Sequence, residues 1–262
     1  MRNRNSETHN AVGLELVTRG WHQEALSQFN KAIAKDPSYA PAYDNIAYLH
    51  AERGDFLEAL KLYLKALESD PDDATIQYNF GCFLSNYAND MSQEAFELAT
   101  KAEVAFPEAH FNLGLTLMSQ SHPEEAIGQL QKAQTLDPDN ADIAPELASA
   151  FLAANHFRQA IRVLRKAVQK NKEHQLAWFK LGSCYLQQGI FGEANEALSK
   201  ALELDPQDTI CMLELAALRF FQKKYYKSEA LLEKALKLDR ENVLKHLRKM
   251  PYLSRFAHIL DL

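Results

Sequence analysis

The sequence predicts an all-α protein made of stacked helix hairpins, and three observations carry that expectation. Alanine and leucine supply 73 of 262 residues while Val, Ile and Thr together supply 22, a balance that favours helix over sheet. Glycine and proline number only 9 each, so the helices are long and the turns between them short. Finally, the chain repeats itself about every 34 residues, the mark of a stacked array rather than of one globular core.

The repeat rests on three columns. Lys-Ala pairs stand at Lys31-Ala32, Lys65-Ala66, Lys101-Ala102, Lys132-Ala133, Lys166-Ala167, Lys200-Ala201 and Lys234-Ala235, with alanine spacings of 34, 36, 31, 34, 34 and 34. Small residues recur at Gly13, Ala47, Gly81, Gly114, Ala148, Gly182 and Ala216, and again at Ala25, Ala59, Ala95, Ala126, Ala160, Ala194 and Ser228. In residues 175–208, apolar letters fall at Trp178, Leu181 and Tyr185, then at Phe191, Ala194, Leu198, Ala201 and Leu202. That is helical spacing twice over, broken near Gly189. Units close with Asp36-Pro37, Asp70-Pro71, Asp137-Pro138 and Asp205-Pro206, where the proline disfavours helix in the residue before it.

Trp178, Leu181, Gly182 and Tyr185 form a W-x2-L-G-x2-Y string, and with Ala194, Leu198, Ala201 and Pro206 the unit resembles the tetratricopeptide repeat (TPR). Seven units are expected at 6–39, 40–73, 74–106, 107–140, 141–174, 175–208 and 209–242, each with helix A over positions 1 to 14 and helix B over roughly 17 to 30. The resemblance implies a right-handed α-solenoid superhelix whose A helices line a concave groove. Unit 3 is expected to hold two extra residues near Tyr87–Met91 and to lack about three between Ala102 and Gly114, with a local change of pitch. His9 stands where units 2 and 6 carry Tyr43 and Trp178, which suits a first helix with no preceding neighbour. Residues 243–262, with Leu244, Leu247, Tyr252, Leu253, Phe256, Ile259 and Leu260, are expected to form a capping helix over the last hairpin.

Several function classes are disfavoured. With 29 bases against 35 acids the net charge is −6, which argues against a strongly basic nucleic-acid binder. No apolar run is long enough to insert in a membrane, and MRNRNSETHN reads as lacking a secretory leader. Cys82, Cys184 and Cys211 are too few and too scattered for a disulfide framework, so a reducing, cytoplasmic setting is expected. The phosphate-binding G-x-x-x-x-G-K string, H-E-x-x-H and G-x-S-x-G are all absent, and the nine histidines show no metal-ligand spacing. No catalytic residue, cofactor or metal is therefore expected. Cys184 and Cys211 read as inert core thiols, whereas Cys82 lies in a groove-facing column.

The resemblance directs positions 2, 5, 6, 9, 12 and 13 of each unit into the groove. Position 6 reads Asn45, Asn79, Asn112, then Glu146, Lys180 and Glu214. An amide offers donor and acceptor together, so contiguous asparagines can follow a peptide main chain whatever its side chains are. Around them stand Asp44, Tyr78, Phe111 and Phe179 at position 5, Tyr48 and Leu115 at position 9, and Ser85 and Met118 at position 12. The expected peptide site is Asn45, Asn79, Asn112, Asp44, Tyr48, Tyr78, Phe111, Leu115 and Met118, with Asn79→Ala weakening binding while leaving stability nearly intact. Further along, Leu152, Leu186, Phe220 and Leu213 make the columns apolar, suited to an amphipathic helix or to the chain's own tail. The lysine-rich clamp by which some TPR domains grip C-terminal carboxylates is not matched, because Asp44, Tyr48, Glu108 and Asn112 stand where it needs other residues and only Asn79 agrees.

Residues 219–255 hold 11 bases and 4 acids, whereas residues 1–218 hold 18 and 30. That asymmetry suits solubility alone first, and otherwise an acidic partner or head-to-tail self-association through the C-terminal end. The leading expectation is a non-enzymatic scaffold that binds an extended protein segment in its groove. The alternatives are the targeting portion of an enzyme complex and a self-assembling structural protein.

Overall fold

A computed structural model describes residues 4–85, 89–248 and 250. Its helices, in chain order, are α1 (Arg4–Thr18), α2 (His22–Lys35), α3 (Ala40–Glu52), α4 (Phe56–Ser69), α5 (Ala74–Ser85), α6 (Asn89–Ala102), α7 (Pro107–Ser119) and α8 (Pro123–Leu136). They continue with α9 (Ile143–Ala153), α10 (Phe157–Lys170), α11 (Gln175–Gln187), α12 (Phe191–Leu204), α13 (Thr209–Phe221), α14 (Tyr225–Leu238) and α15 (Arg240–Leu247). The described residues contain no strand. The chain forms two compact units, residues 1–137 and 138–262. In each, odd and even helices pair as hairpins, every even helix up to α12 that shares a unit with its successor packs on that helix, and neighbouring odd helices touch along one side.

Each hairpin closes around an alternation of small and large residues. Helix B presents Ala25, Phe29 and Ala32 in α2, Ala59, Tyr63 and Ala66 in α4, and Ala194, Leu198 and Ala201 in α12, all 2% exposed or less. The large residue of each trio lies against the small column of helix A. A methyl group added at Gly13 would stand 2.4 Å from the Phe29 ring, at Gly114 2.6 Å from Leu130 Cγ and at Gly182 2.5 Å from Leu198 Cγ. Helix B therefore sits as close to helix A as a missing Cβ allows.

The same glycine contact corrects the reading of the third unit. A methyl group added at Gly81 would stand 2.7 Å from the Phe96 ring, and α6 buries Ser92, Phe96 and Ala99 at the spacing of the other trios. Ala102, placed in the Lys-Ala column from sequence, is exposed, and Ala95 does not belong to the alanine column. The repeat spacing from Ala66 to Ala99 is 33 and from Ala99 to Ala133 is 34. Gly81 and Phe96 stand 15 residues apart where Gly13 and Phe29, or Gly182 and Leu198, stand 16 apart, so the third unit is one residue short where an insertion followed by a deletion had been expected. The expected site of insertion, from Tyr87, falls largely outside the described residues.

Turns are as regular as helices. Among the described residues the second residue after helix A is left-handed in six hairpins: Gly20, Gly54 and Gly189 at φ 71–81°, but also Ser121 at 65°, Asn155 at 62° and Lys223 at 61°. The following N–H returns to the carbonyl five residues back, as in Trp21 to Leu16 at 2.9 Å, His156 to Phe151 at 2.7 Å and Lys224 to Arg219 at 2.8 Å, which satisfies the helix C-terminus. The opposite turns rely on side chains: Asp36, Asn171 and Asp205 each accept the N–H two residues on, and Asp208 caps α13 by accepting from Ile210 and Cys211.

A further bond recurs at position 4 of the units. Tyr43 Oη donates to the Pro37 carbonyl at 3.1 Å, and Trp178 Nε1 to that of Lys172 at 2.9 Å. Gln77 Nε2 reaches the Pro71 carbonyl at 2.9 Å, and His110 Nε2 that of Val104 at 3.1 Å. Four side-chain types thus make one bond, six residues back, that ties helix A to the loop before it. His9 instead pairs with Gln28 of its own hairpin, Nδ1 to Oε1 at 2.9 Å.

At the C-terminus α15 begins at Arg240, three residues before the expected 243, because Asp239 accepts the Asn242 N–H and caps the helix there. Val243 is fully buried against Met212, Leu213 and Leu232, with Leu244, Leu247 and Met250 packed around them. Tyr252, Leu253, Phe256, Ile259 and Leu260 lie outside the described residues.

Two outcomes follow. Ala201→Leu should overpack the hairpin and lower stability by roughly 1–3 kcal/mol, read as a lower denaturation midpoint. Lys223→Gly should raise stability by about 0.5–1 kcal/mol, because relief of the left-handed strain exceeds the extra freedom of glycine in the unfolded chain; a midpoint that falls would contradict the turn geometry.

Candidate functional site

Within residues 1–137 the A helices α1, α3, α5 and α7 stand side by side, which brings position 6 of one hairpin beside position 5 of the one before. Asn45 Nδ2 donates to Asn10 Oδ1 at 2.9 Å, Asn79 Nδ2 to Asp44 Oδ2 at 2.8 Å, and Asn112 Nδ2 to Tyr78 Oη at 3.1 Å. The three expected asparagines are therefore one row, each reaching back by one repeat. One N–H of each amide is spent on that link. Each amide oxygen has no partner among the described residues and is not sealed from solvent.

Flanking side chains divide into two kinds. Tyr48 is 47% exposed, and Phe111, Leu115 and Met118 are half-buried, so apolar surface does lie beside the amides. Tyr78 is half-buried, its ring 4.9 Å from that of Phe106, and burial pushes its hydroxyl well above the usual tyrosine range. Asp44 departs from the expected groove contact: it is only 5% exposed. Oδ2 accepts from Asn79, Oδ1 has no partner, and burial raises the carboxyl from 3.8 to about 7. Close packing of α3 on α5 encloses it, so Asn79→Ala would orphan a buried carboxylate, and the expectation of nearly unchanged stability does not hold.

Two further partners join the row: Asn10, missed from sequence, and Cys82, whose column was expected to face the groove but which was left out of the expected site. Asn10, 7% exposed, receives Asn45, and Cys82 receives a second contact from Asn112 at 3.6 Å to Sγ. Asn10 was legible in principle, since it occupies in unit 1 the position that Asp44 and Tyr78 hold in units 2 and 3. Burial raises the Cys82 thiol above its ordinary value, which disfavours the thiolate. Cys184 and Cys211 are fully buried and pushed up to about 11 and about 12.

Residues 138–262 use the same positions differently. Lys180 Nζ donates to Glu146 Oε1 at 2.8 Å, Ser149 Oγ at 2.7 Å and the Pro145 carbonyl at 3.2 Å, so all three of its hydrogens are engaged by the preceding hairpin. Burial raises the Glu214 carboxyl. Among the described residues no three His, Cys, Asp or Glu side chains gather as a metal site, and no helix is long and apolar enough to cross a membrane.

Asp44 makes stability pH-dependent in a stated direction. Its folded value lies above the unfolded one, so the folded state binds the proton more tightly. The resulting stabilisation is complete below about 4 and is lost as pH rises through about 7. Asp44→Asn should remove this component, and its stability relative to the parent should grow by on the order of 1 kcal/mol per pH unit between about 4 and 7. Parallel profiles from denaturant titrations would contradict the buried carboxyl.

Comparison with known proteins identifies the architecture. Sequence models described as tetratricopeptide repeat match residues 107–140 and 146–209, and one described as TPR repeat matches 47–82. The type IV pilus assembly protein PilF of Pseudomonas aeruginosa is 30% identical over 142 residues, 52% of this chain and 56% of that protein. Superkiller protein 3 of Schizosaccharomyces pombe is 28% identical over 97 residues, 37% of this chain and 7% of that one. The chain thus spans about half the length of one relative and a small part of the other. The solved structure of P. aeruginosa PilF superposes with TM-score 0.68 at 21% identity, covering 85% of this chain and 99% of that one. YrrB, described as a TPR protein with an unusual peptide-binding site, gives 0.57 at 21%, covering 71% and 97%. Paired helices, the close-approach column and these matches agree: the chain belongs to the tetratricopeptide-repeat family and has the α-solenoid fold of a protein-interaction scaffold.

Proposed function

We propose that the chain binds an extended segment of another protein along the face shared by α1, α3, α5 and α7, without catalysing a reaction and without a cofactor. The observation that carries this reading is the asparagine row. Each amide is held through Nδ2 to the hairpin before it while its oxygen stays free, so the ligand-facing group is oriented before any ligand arrives. An open amide carbonyl every repeat, joined at Asn45 and Asn79 by a second N–H, suits a peptide main chain. Tyr48, Phe111, Leu115 and Met118 add apolar area, with the two rings costing little side-chain entropy. The peptide-binding site reported in YrrB supports the capacity of this architecture for such ligands. Three free thiols, two of them buried, support a reducing, cytoplasmic setting.

Selection of short random peptides on the immobilised protein, followed by affinity measurement on two variants, tests the proposal. Asn112→Ala should weaken the selected peptides about five- to thirtyfold, the equivalent of 1–2 kcal/mol. Tyr48→Ala should weaken them with an unchanged denaturation midpoint, because its ring is half in solvent. Peptides that bind both variants as tightly as the parent would place the site elsewhere.

A further inference from the structure

Helix α10 carries five basic residues and no acid in fourteen, the sequence FRQAIRVLRKAVQK. Ala160, Leu164 and Val168 face the core, which turns Arg158, Arg162, Arg165 and Lys166 outward, all exposed. Spacings of four, three and one residues put them on one stripe, about 12 Å long at 1.5 Å per residue. Among the described residues none of the four has a hydrogen bond or ion pair. Only Lys170, at the end of the helix, is neutralised, by Asp139 at 2.5 Å.

On α11 and α12 the charge is paired or reversed. Helix α12, which like α10 packs on α11, exposes Glu193, Glu196 and Glu203, and its Lys200 is tied to Glu203 at 3.1 Å. On α11 Lys180 is already paired with Glu146 of α9. A duplex nucleic acid or a membrane plane is broader than one helix, and the exposed carboxylates of α12 disfavour a broad anionic partner on this unit. A single acidic helix is narrow enough to lie along α10 alone. Three guanidinium groups at i, i+4 and i+7 match carboxylates at the same spacing on such a helix, each pair able to form two parallel hydrogen bonds.

We propose that the outer face of α10 is a second docking surface, distinct from the asparagine row, for an acidic helix of another protein with carboxylates at i, i+4 and i+7. The surface needs no apolar contribution to steer a partner, since unpaired exposed charge acts on the encounter rate and on partner choice.

A fluorescein-labelled alanine-based helical peptide with glutamates at i, i+4 and i+7 serves as the probe, titrated at low and at physiological ionic strength. The parent should bind it, more weakly at the higher salt. Arg158→Glu, Arg162→Glu and Arg165→Glu together should lower affinity at least about tenfold, and a peptide of the same composition with glutamates spread around the helix should bind the parent less well. The control, Lys227→Glu with Lys234→Glu and Lys237→Glu, changes net charge equally on exposed positions of α14 and should lower affinity less than about threefold. Circular dichroism verifies folding, and the Arg→Gln triple replaces the Arg→Glu triple if the latter unfolds. No binding by the parent, equal losses in both triple variants, or tighter binding to a DNA duplex or to phosphatidylserine vesicles would overturn the proposal. So would self-association of the parent, in light scattering, that the arginine triple abolishes, because the occupant would then be a second copy. Peptides selected on the asparagine row should bind the arginine triple unchanged, so the two sites succeed or fail separately.

Discussion

Close approach of helix A to helix B is the constraint on which this molecule depends. A hairpin of two helices of about fourteen residues buries too little by itself, so its stability comes from packing that repeats identically from unit to unit. Where glycine occupies helix A, as at Gly13 or Gly182, a bulky side chain of helix B sits where a Cβ would be. That distance fixes the hairpin, the hairpin fixes where the next helix A can lie, and the lateral spacing of A helices in turn decides which side chains can link one repeat to the next.

Much of this was legible in the sequence because packing columns tolerate few residue types. Ala25, Ala59, Ala194 and Ser228 can be read off a self-alignment because anything larger would push the helices apart. The third unit shows where such reading fails. Lys101-Ala102 imitates the Lys-Ala pair of other units, and without an Asp-Pro nearby nothing in the sequence marks the imitation. Only the contact of Gly81 with Phe96 reveals that the frame is set by Ala99. The left-handed turns were legible at Gly189 and hidden at Ser121, Asn155 and Lys223. A hydrogen bond five residues back outweighs the strain of a Cβ there, so the turn survives without its characteristic residue.

The site was legible in residue type and only partly in environment. Three asparagines at one repeat position do form a row, but a sequence cannot show that each amide faces a neighbour as well as the groove. Asp44 carries the point furthest. By column it belongs beside Tyr78 and Phe111, and nothing local distinguishes it from a solvated acid. Burial is a property of the pair α3 and α5, set by how close the two helices lie, and it turns a surface charge into a group that titrates near neutrality.

The link from position 6 back to position 5 has a consequence for how such a surface changes. Asn45 to Asn10, Asn79 to Asp44, Asn112 to Tyr78 and Lys180 to the Pro145 carbonyl are chemically different bonds made in one geometry. A ligand-facing residue here is also a fastening between hairpins, so altering it for specificity draws on stability at the same time. Arg158, Arg162 and Arg165 fasten nothing. Outward positions of helix B can therefore diverge freely, while the row between A helices changes only in compatible pairs, and partner choice on the outer face is separable from the integrity of the solenoid in a way that partner choice in the groove is not.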